Sequence, residues 1–169
     1  MPLLAEMLTE AGTAWSDIAG LGVGIGPGNF TGIRISVATA RGFALSLGIP
    51  AEGVGVAEAL KDIEPEATYC LRAPGGLVTV IDPSQSEPVI FDPASDLPVH
   101  PAAGRRFIGP GASLLEGRSG VDTGPVPPIA PQIALIAAGR AAPGRPRPAP
   151  VYLRPADAAP PADSPPIVI

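Results

Sequence analysis

Residues 2 to 11 place Leu3, Leu4, Met7, Leu8 and Ala11 at the spacing of an amphipathic helix, and Gly12 stands where a C-terminal cap would stop it. After a turn over 13–17, the run from Ile18 to Ile25 is apolar and interrupted only by glycine, which fits a buried strand leading into Gly26-Pro27-Gly28. Helical spacing returns from Thr31 to Leu47 and ends at Gly48 and Pro50. In this second helix Phe30, Ile33, Val37, Ala40, Ala44 and Leu47 form one apolar stripe. Arg34, Ala38, Arg41 and Leu45 form the next stripe round, and Ile35, Thr39, Gly42 and Ser46 a third. Arg34 and Arg41 are the sole charges between Thr31 and Leu47, so no broad face is built for water. The pattern predicts a helix covered on more than one side, by its own sheet and by something else.

Further on, the alternation predicts a strand over Ala51–Val56 and a short helix over Ala57–Ile63 that stops before Pro65. Ala67–Arg72 and Leu77–Ile81 flank Ala73-Pro74-Gly75-Gly76 as a hairpin, with an edge strand over Pro88–Phe91. Asp92 to Gly104 reads as loop, Arg105–Ile108 as a short strand, and Gly109-Pro110-Gly111 as a turn into Ala112–Glu116. Gln132–Ala142 is the last helix, with Pro131 near its start, and Val151–Arg154 the last strand. Strands alternating with helices make this an α/β protein. Division falls at a first segment 1–65, a second 66–154 and a proline-rich tail 155–169.

Composition sharpens that division. Of 24 prolines only Pro2, Pro27 and Pro50 precede Pro65, so the front reads as compact and the back as rich in loops. Hydrophobic residues make up 46% of the chain and charged ones 16%, too apolar a mixture for wholesale disorder. A net charge of −5 argues against unaided binding to nucleic acid, which calls for a basic patch. One cysteine, Cys70, excludes an internal disulfide, and one histidine, His100, leaves no His pair for a metal. With no run of spanning length and no basic start before an apolar stretch, a reducing cytoplasmic setting is expected.

Candidate chemistry is sparse. Gly26-Pro27-Gly28-Asn29-Phe30-Thr31-Gly32 joins a strand to a helix, a place where backbone N–H groups can meet an anion or a nucleotide, with Gly26, Gly28, Asn29, Thr31 and Gly32 as its residues. It lacks both the Gly-Lys-Ser/Thr ending of a phosphate loop and the glycine spacing of a dinucleotide fingerprint. On spacing alone, a tight turn with Thr31 capping the helix is the favoured reading over a site for chemistry. Arg34 and Arg41 either meet a carboxylate or phosphate or close one stripe of a packed helix. Cys70 sits in an apolar strand pattern and is expected to pack, and His100 is expected on a surface loop. Asp82, Asp92 and Asp96 neighbour proline or serine and are expected as solvated turn residues. No nucleophile, base and orienting group assemble.

The string from Gly26 through Phe30-Thr31-Gly32-Ile33-Arg34-Ile35, continuing as Ala38-Thr39-Ala40-Arg41-Gly42 to Leu47-Gly48-Ile49-Pro50, closely resembles the signature of the bacterial TsaB family, also called YeaZ. A helix like Pro2–Gly12 precedes that signature in the family, and Pro150-Val151-Tyr152-Leu153-Arg154-Pro155-Ala156-Asp157-Ala158-Ala159 resembles its C-terminal stretch. The likeness is strong at both ends and vague between Glu66 and Pro131. It implies an actin-like fold (ASKHA, ribonuclease H-like) of two subdomains, the first incomplete at its front. Its implied role is the making of threonylcarbamoyladenosine (t6A) in tRNA.

In that pathway a TsaB-type protein is a non-catalytic partner, binding the catalytic paralogue TsaD in an assembly joined by the ATPase TsaE, and reaching tRNA only through the complex. No cofactor or metal of its own is implied. The single histidine also argues against the peptidase label attached to this superfamily. The interface expected with TsaD, or with a second copy, comprises Leu4, Met7, Leu8, Phe30, Ile33, Arg34, Val37, Ala40, Arg41 and Ala44. Two departures stand out. The family opens with a strand, an Asp-Thr-Ser turn and further strands, so Met1 matches an interior position and the reading expects a shortened front or a start codon placed late. In the middle, Arg72-Ala73-Pro74-Gly75-Gly76-Leu77-Val78 replaces an Asp-Ala-Arg-Arg-Gly-like turn. Two other readings remain open: a nucleotide-binding enzyme using the Gly26–Gly32 loop, and a truncated relic.

Overall fold

The computed structural model describes residues 2–82, 85, 87–95, 97, 106–142 and 144–153. His100, Asp96 and the 155–169 tail lie outside the described residues. The chain opens with α1 (Pro2–Glu10) and a 3-10 turn over Trp15–Asp17, then runs through β1 (Leu21–Gly24), α2 (Phe30–Leu47), β2 (Ala51–Val54) and α3 (Val56–Ile63). Next come β3 (Thr68–Arg72), β4 (Val78–Ile81), β5 (Val89–Phe91), β6 (Arg106–Ile108), β7 (Asp122–Gly124) and α4 (Ala130–Arg140).

Two sheets result. β1 and β2 pair in parallel, Leu21 opposite Ala51 and Gly24 opposite Val54, as a strand–helix–strand crossover through α2 requires. The second sheet has the order β5-β4-β3-β6-β7. Within it β3 and β4 form the expected antiparallel hairpin, Tyr69 opposite Ile81 and Arg72 opposite Val78, and β5 takes the expected edge. β6 lies parallel to β3 on the other side and carries β7, a strand of Asp, Thr and Gly with no apolar alternation to announce it.

The core of the second sheet gathers Cys70, Val78, Val80, Phe91, Phe107 and Leu115. β4 is buried at every residue, because both its faces are covered. Asp82 follows that strand at the start of a turn, its backbone carbonyl accepting from the Gln85 N–H, as expected, but it is only 4% exposed, so the solvation expected there is corrected. Asp92 is exposed, and its carboxylate accepts from the Ala94 N–H at 2.8 Å, a side-chain turn of the expected kind.

α4 follows the second sheet in the chain but packs on the first. Val54, Ala59, Ile133 and Ala137 share one buried cluster. A methyl group built on Gly22 would stand 2.9 Å from the Ala137 β-carbon, so glycine in β1 is what admits the helix. Val56, Leu60, Ala67 and Ile108 form a third cluster that joins α3 to β6. The strand expected over Val151–Arg154 does not form among the described residues. The Val151 N–H donates to the Ile25 carbonyl at 2.8 Å, but prolines at 148 and 150 remove the donors a ladder would need before it.

Candidate docking surface on the first two helices

α2 begins one residue earlier than its periodicity predicts, and its cap is Asn29, not Thr31. The Asn29 side-chain oxygen accepts from the Gly32 N–H at 2.8 Å, and Gly48 closes the far end in the left-handed conformation. Thr31 therefore lies inside the first turn. The Gly26–Gly32 loop is filled from within: a β-carbon on Gly26 would meet the Ile33 δ-methyl at 2.6 Å, and one on Gly28 would meet it at 3.5 Å. One N-terminal donor is thus taken by the cap, and Ile33 occupies the concave side where an anion would sit.

Most of the apolar stripe expected to face a partner turns inwards. Val37 is 2% exposed, the one fully buried residue of α2, so it belongs to the chain's own core. Ile33, Ala40, Ala44 and Leu47 are half-buried along the same side. α2 packs on β1 and β2, opposite the face that Gly22 and Val54 present to α4. Outwards go Arg34, Ile35, Ala38, Arg41, Gly42 and Leu45. Leu45 is 77% exposed and Ile35 62%, and a β-carbon built on Gly42 would meet nothing within 4 Å.

α1 has no buried residue at all. Leu4 and Met7 are exposed, Leu8 is half-buried, and Leu3 is 67% exposed. The connection that follows it is anchored to α2 by Trp15, whose ring stacks on Phe43 with centroids 4.9 Å apart. Near the other end of α2, Phe30 is exposed and packs against Tyr152 at 4.8 Å, while the Arg34 guanidinium lies 5.1 Å over the Phe30 ring. Tyr152 was not among the expected site residues. Its position depends on a contact across more than a hundred residues of chain, which no local pattern reports.

Elsewhere, an open cleft of about 330 Å³ lies between α3 and the end of β4, with Glu58, Lys61, Asp82 and Glu87 among its lining residues. The Arg140 guanidinium, hydrogen-bonded to Glu58, holds that carboxyl below its ordinary value, against a smaller opposing effect of burial. Among the described residues the lining carries no serine, cysteine or histidine. Cys70 is wholly buried, and burial pushes its thiol up to about 12, so it packs as expected. Among the described residues no three His, Cys, Asp or Glu side chains converge as metal ligands, and no helix is long and apolar enough to cross a membrane.

Residues 1–88 match the family model described as TsaD: tRNA N6-adenosine threonylcarbamoyltransferase. The tRNA threonylcarbamoyladenosine biosynthesis protein TsaB of Escherichia coli K12 is 44% identical over 54 residues, 32% of this chain and 23% of that protein. The TsaB of Haemophilus influenzae is 28% identical over 52% of this chain and 35% of its own length, so the chain spans about a quarter to a third of these relatives. An uncharacterised protein of Mycobacterium tuberculosis H37Rv is 29% identical over 94% of this chain and 75% of its own. The crystal structure of a Pseudomonas aeruginosa protein with similarity to peptidase YeaZ superposes with a TM-score of 0.66 at 23% identity, covering 90% of this chain and 82% of that one. Its likeness gives the fold, which is actin-like. With the family model covering more than half of the chain, the protein belongs to the TsaD-type family, as a member of its TsaB/YeaZ branch.

Proposed function

We propose that the chain is a non-catalytic partner subunit in tRNA threonylcarbamoyladenosine biosynthesis, docking a TsaD-type catalytic subunit through α1 and the outer side of α2. TsaE joins that assembly, tRNA is met only within it, and the work is cytoplasmic. Residues 1–65 and 66–154 act as the two subdomains, with α4 returning from the second to the first. The observation that carries this reading is the uncovered apolar flank. Leu3, Met7, Ile35 and Leu45 all stand more than half exposed on these two helices. Burying such side chains contributes about 1.5–3 kcal/mol each before ordering costs, so a few suffice for a working interface. Ala38 and Gly42 between the larger residues allow a partner helix to approach closely.

The test is co-purification with a TsaD-type subunit. Ala38→Glu places a charge at the centre of the outer stripe and is expected to abolish capture, with far-UV circular dichroism unchanged because the site faces solvent. Capture of this variant at the wild-type level would remove the surface from consideration. Loss of function in a strain depleted of its own TsaB, restored by the wild-type chain and not by Ala38→Glu, would tie the surface to the pathway.

A further inference from the structure

The outer side of α2 carries two cations with no opposite charge beside them. Arg34 and Arg41 are exposed, α2 has no acidic residue, and neither guanidinium makes an ion pair among the described residues. Leu45, four residues beyond Arg41, is 77% exposed. The last stretch of the sequence has the complementary chemistry: residues 154–169 hold two carboxylates, Asp157 and Asp163, against one cation, Arg154, and include the apolar run Ile167-Val168-Ile169. That stretch also starts at the right place, because Tyr152 is seated on Phe30, the first residue of α2. We propose that residues 155–169 lie along the outer side of α2 when no partner is bound, with Asp157 on Arg34, Asp163 on Arg41 and the Ile-Val-Ile run on Leu45. This rests on the reading of that side as a docking surface and supplies its regulation, since a partner must displace the tail in order to bind.

The spacings agree. Arg34 lies one helical turn beyond Phe30, about 6 Å along the axis, and Arg41 about 10 Å beyond Arg34. The chain from Tyr152 to Asp157, and from Asp157 to Asp163, covers those distances with slack at up to about 3.3 Å per residue. The whole of α2 is about 27 Å long, well within the reach of residues 155–169. α1 is the other exposed helix, but it bears Glu6 and Glu10 and no cation, so it repels the tail and the charges select α2. Exposed ion pairs contribute little by themselves. Here the tether compensates, because a segment joined to the chain at the edge of its own site meets that site at high effective concentration. The affinity of α2 for a partner then falls in proportion to the fraction of molecules in which the tail is seated.

The experiment places a nitroxide label on Ala158→Cys in the full chain, Cys70 being wholly buried and so protected from labelling, and reads paramagnetic broadening of backbone amides. Amides of Arg34, Ala38 and Arg41 should broaden, and those of β3 and β4 should not. Asp157→Lys/Asp163→Lys in the labelled chain should abolish the broadening on α2. The same two substitutions in the unlabelled full chain should tighten capture of a TsaD-type subunit at least threefold, because the covering segment is then repelled. Absence of broadening on α2, broadening that survives both charge reversals, or broadening passed to a second, unlabelled chain in a mixture would each overturn the proposal, as would capture that the reversals leave unchanged. If neither the wild-type nor the reversed chain captures a TsaD-type subunit, the docking reading fails. The seat of the tail is then still decided by the label on the isolated chain.

Discussion

Gly22 and Gly139 sit on opposite sides of the same contact and should respond to alanine in opposite directions. A β-carbon at Gly22 would stand 2.9 Å from both the Ala137 β-carbon and the Ile133 carbonyl, neither of which is the yielding end of a long side chain. Gly139, on the outer side of α4, has nothing within 4 Å of its built β-carbon. Gly22→Ala should therefore cost about 1–3 kcal/mol through overpacking, while Gly139→Ala should gain up to about 0.5 kcal/mol by replacing a glycine in the last turn of α4. Urea melts of the two variants decide it; a Gly22→Ala protein as stable as wild type would mean that α4 is not held against β1 as described. Legibility at this scale was uneven. Cys70 could be read as buried because it lies in an apolar strand, whereas Asp82 takes the turn its proline neighbour suggests but is buried, because nothing local reveals that β4 before it is enclosed on both faces. The choice between Asn29 and Thr31 as cap depends on where the first helical hydrogen bond falls, a one-residue matter that two good capping residues two apart leave undecided.

The extent of α2 was legible to within a residue, but its orientation was not. One stripe, Phe30, Ile33, Val37, Ala40, Ala44 and Leu47, is wholly apolar, but with no broad polar face opposite it the periodicity did not say whether that stripe meets the chain's own sheet or a partner. The informative signal was the pair of arginines: a stripe with two cations and no counter-charge is costly to bury, which turns Arg34, Ala38, Arg41 and Leu45 outwards and Val37 in. That division can be separated experimentally. Val37→Ala should destabilise the isolated chain by roughly the 1.5–3 kcal/mol expected of a fully buried valine. Leu45→Ala should leave its stability within about 0.5 kcal/mol and weaken only association. Thermal melts and co-purification run in parallel give both readings. A Leu45→Ala chain that melts as low as Val37→Ala would place the outer flank inside the fold and leave nothing free to dock. The short strand β7 was illegible for the opposite reason, since its pairing with Arg106–Ile108 comes from backbone register and owes nothing to apolar side chains.

At the scale of the molecule, the first sheet is completed by chain that arrives last. After α4 has packed on β1 and β2, the connector brings Arg145 to Glu52 of β2, with Nε and Nη2 donating to the carboxylate at 2.9 and 2.7 Å. Pro148 then lies against β2 near Gly53, the Val151 N–H reaches the Ile25 carbonyl, and Tyr152 comes to rest on Phe30. The Glu52–Arg145 contact joins residues 93 apart, which is why composition suggested a mere proline-rich connector where the structure has a strap running from β2 to the first residue of α2. Glu52 is 6% exposed, so removing its guanidinium partner leaves a carboxylate in place with little water to replace it. Arg145→Ala should therefore release the strap without dissolving the second sheet. In amide hydrogen exchange, the Val151 N–H should lose protection strongly, while amides in β3 and β4 keep the wild-type rate. Phe30 would lose Tyr152 as a neighbour, so capture of the TsaD-type subunit should weaken in the same variant. Uniform loss of protection across both sheets would show instead that the pair holds the whole fold. Unchanged protection at Val151 would show that the strap is held by its prolines and aromatic contact alone, and the arginine would then have no part in shaping the surface.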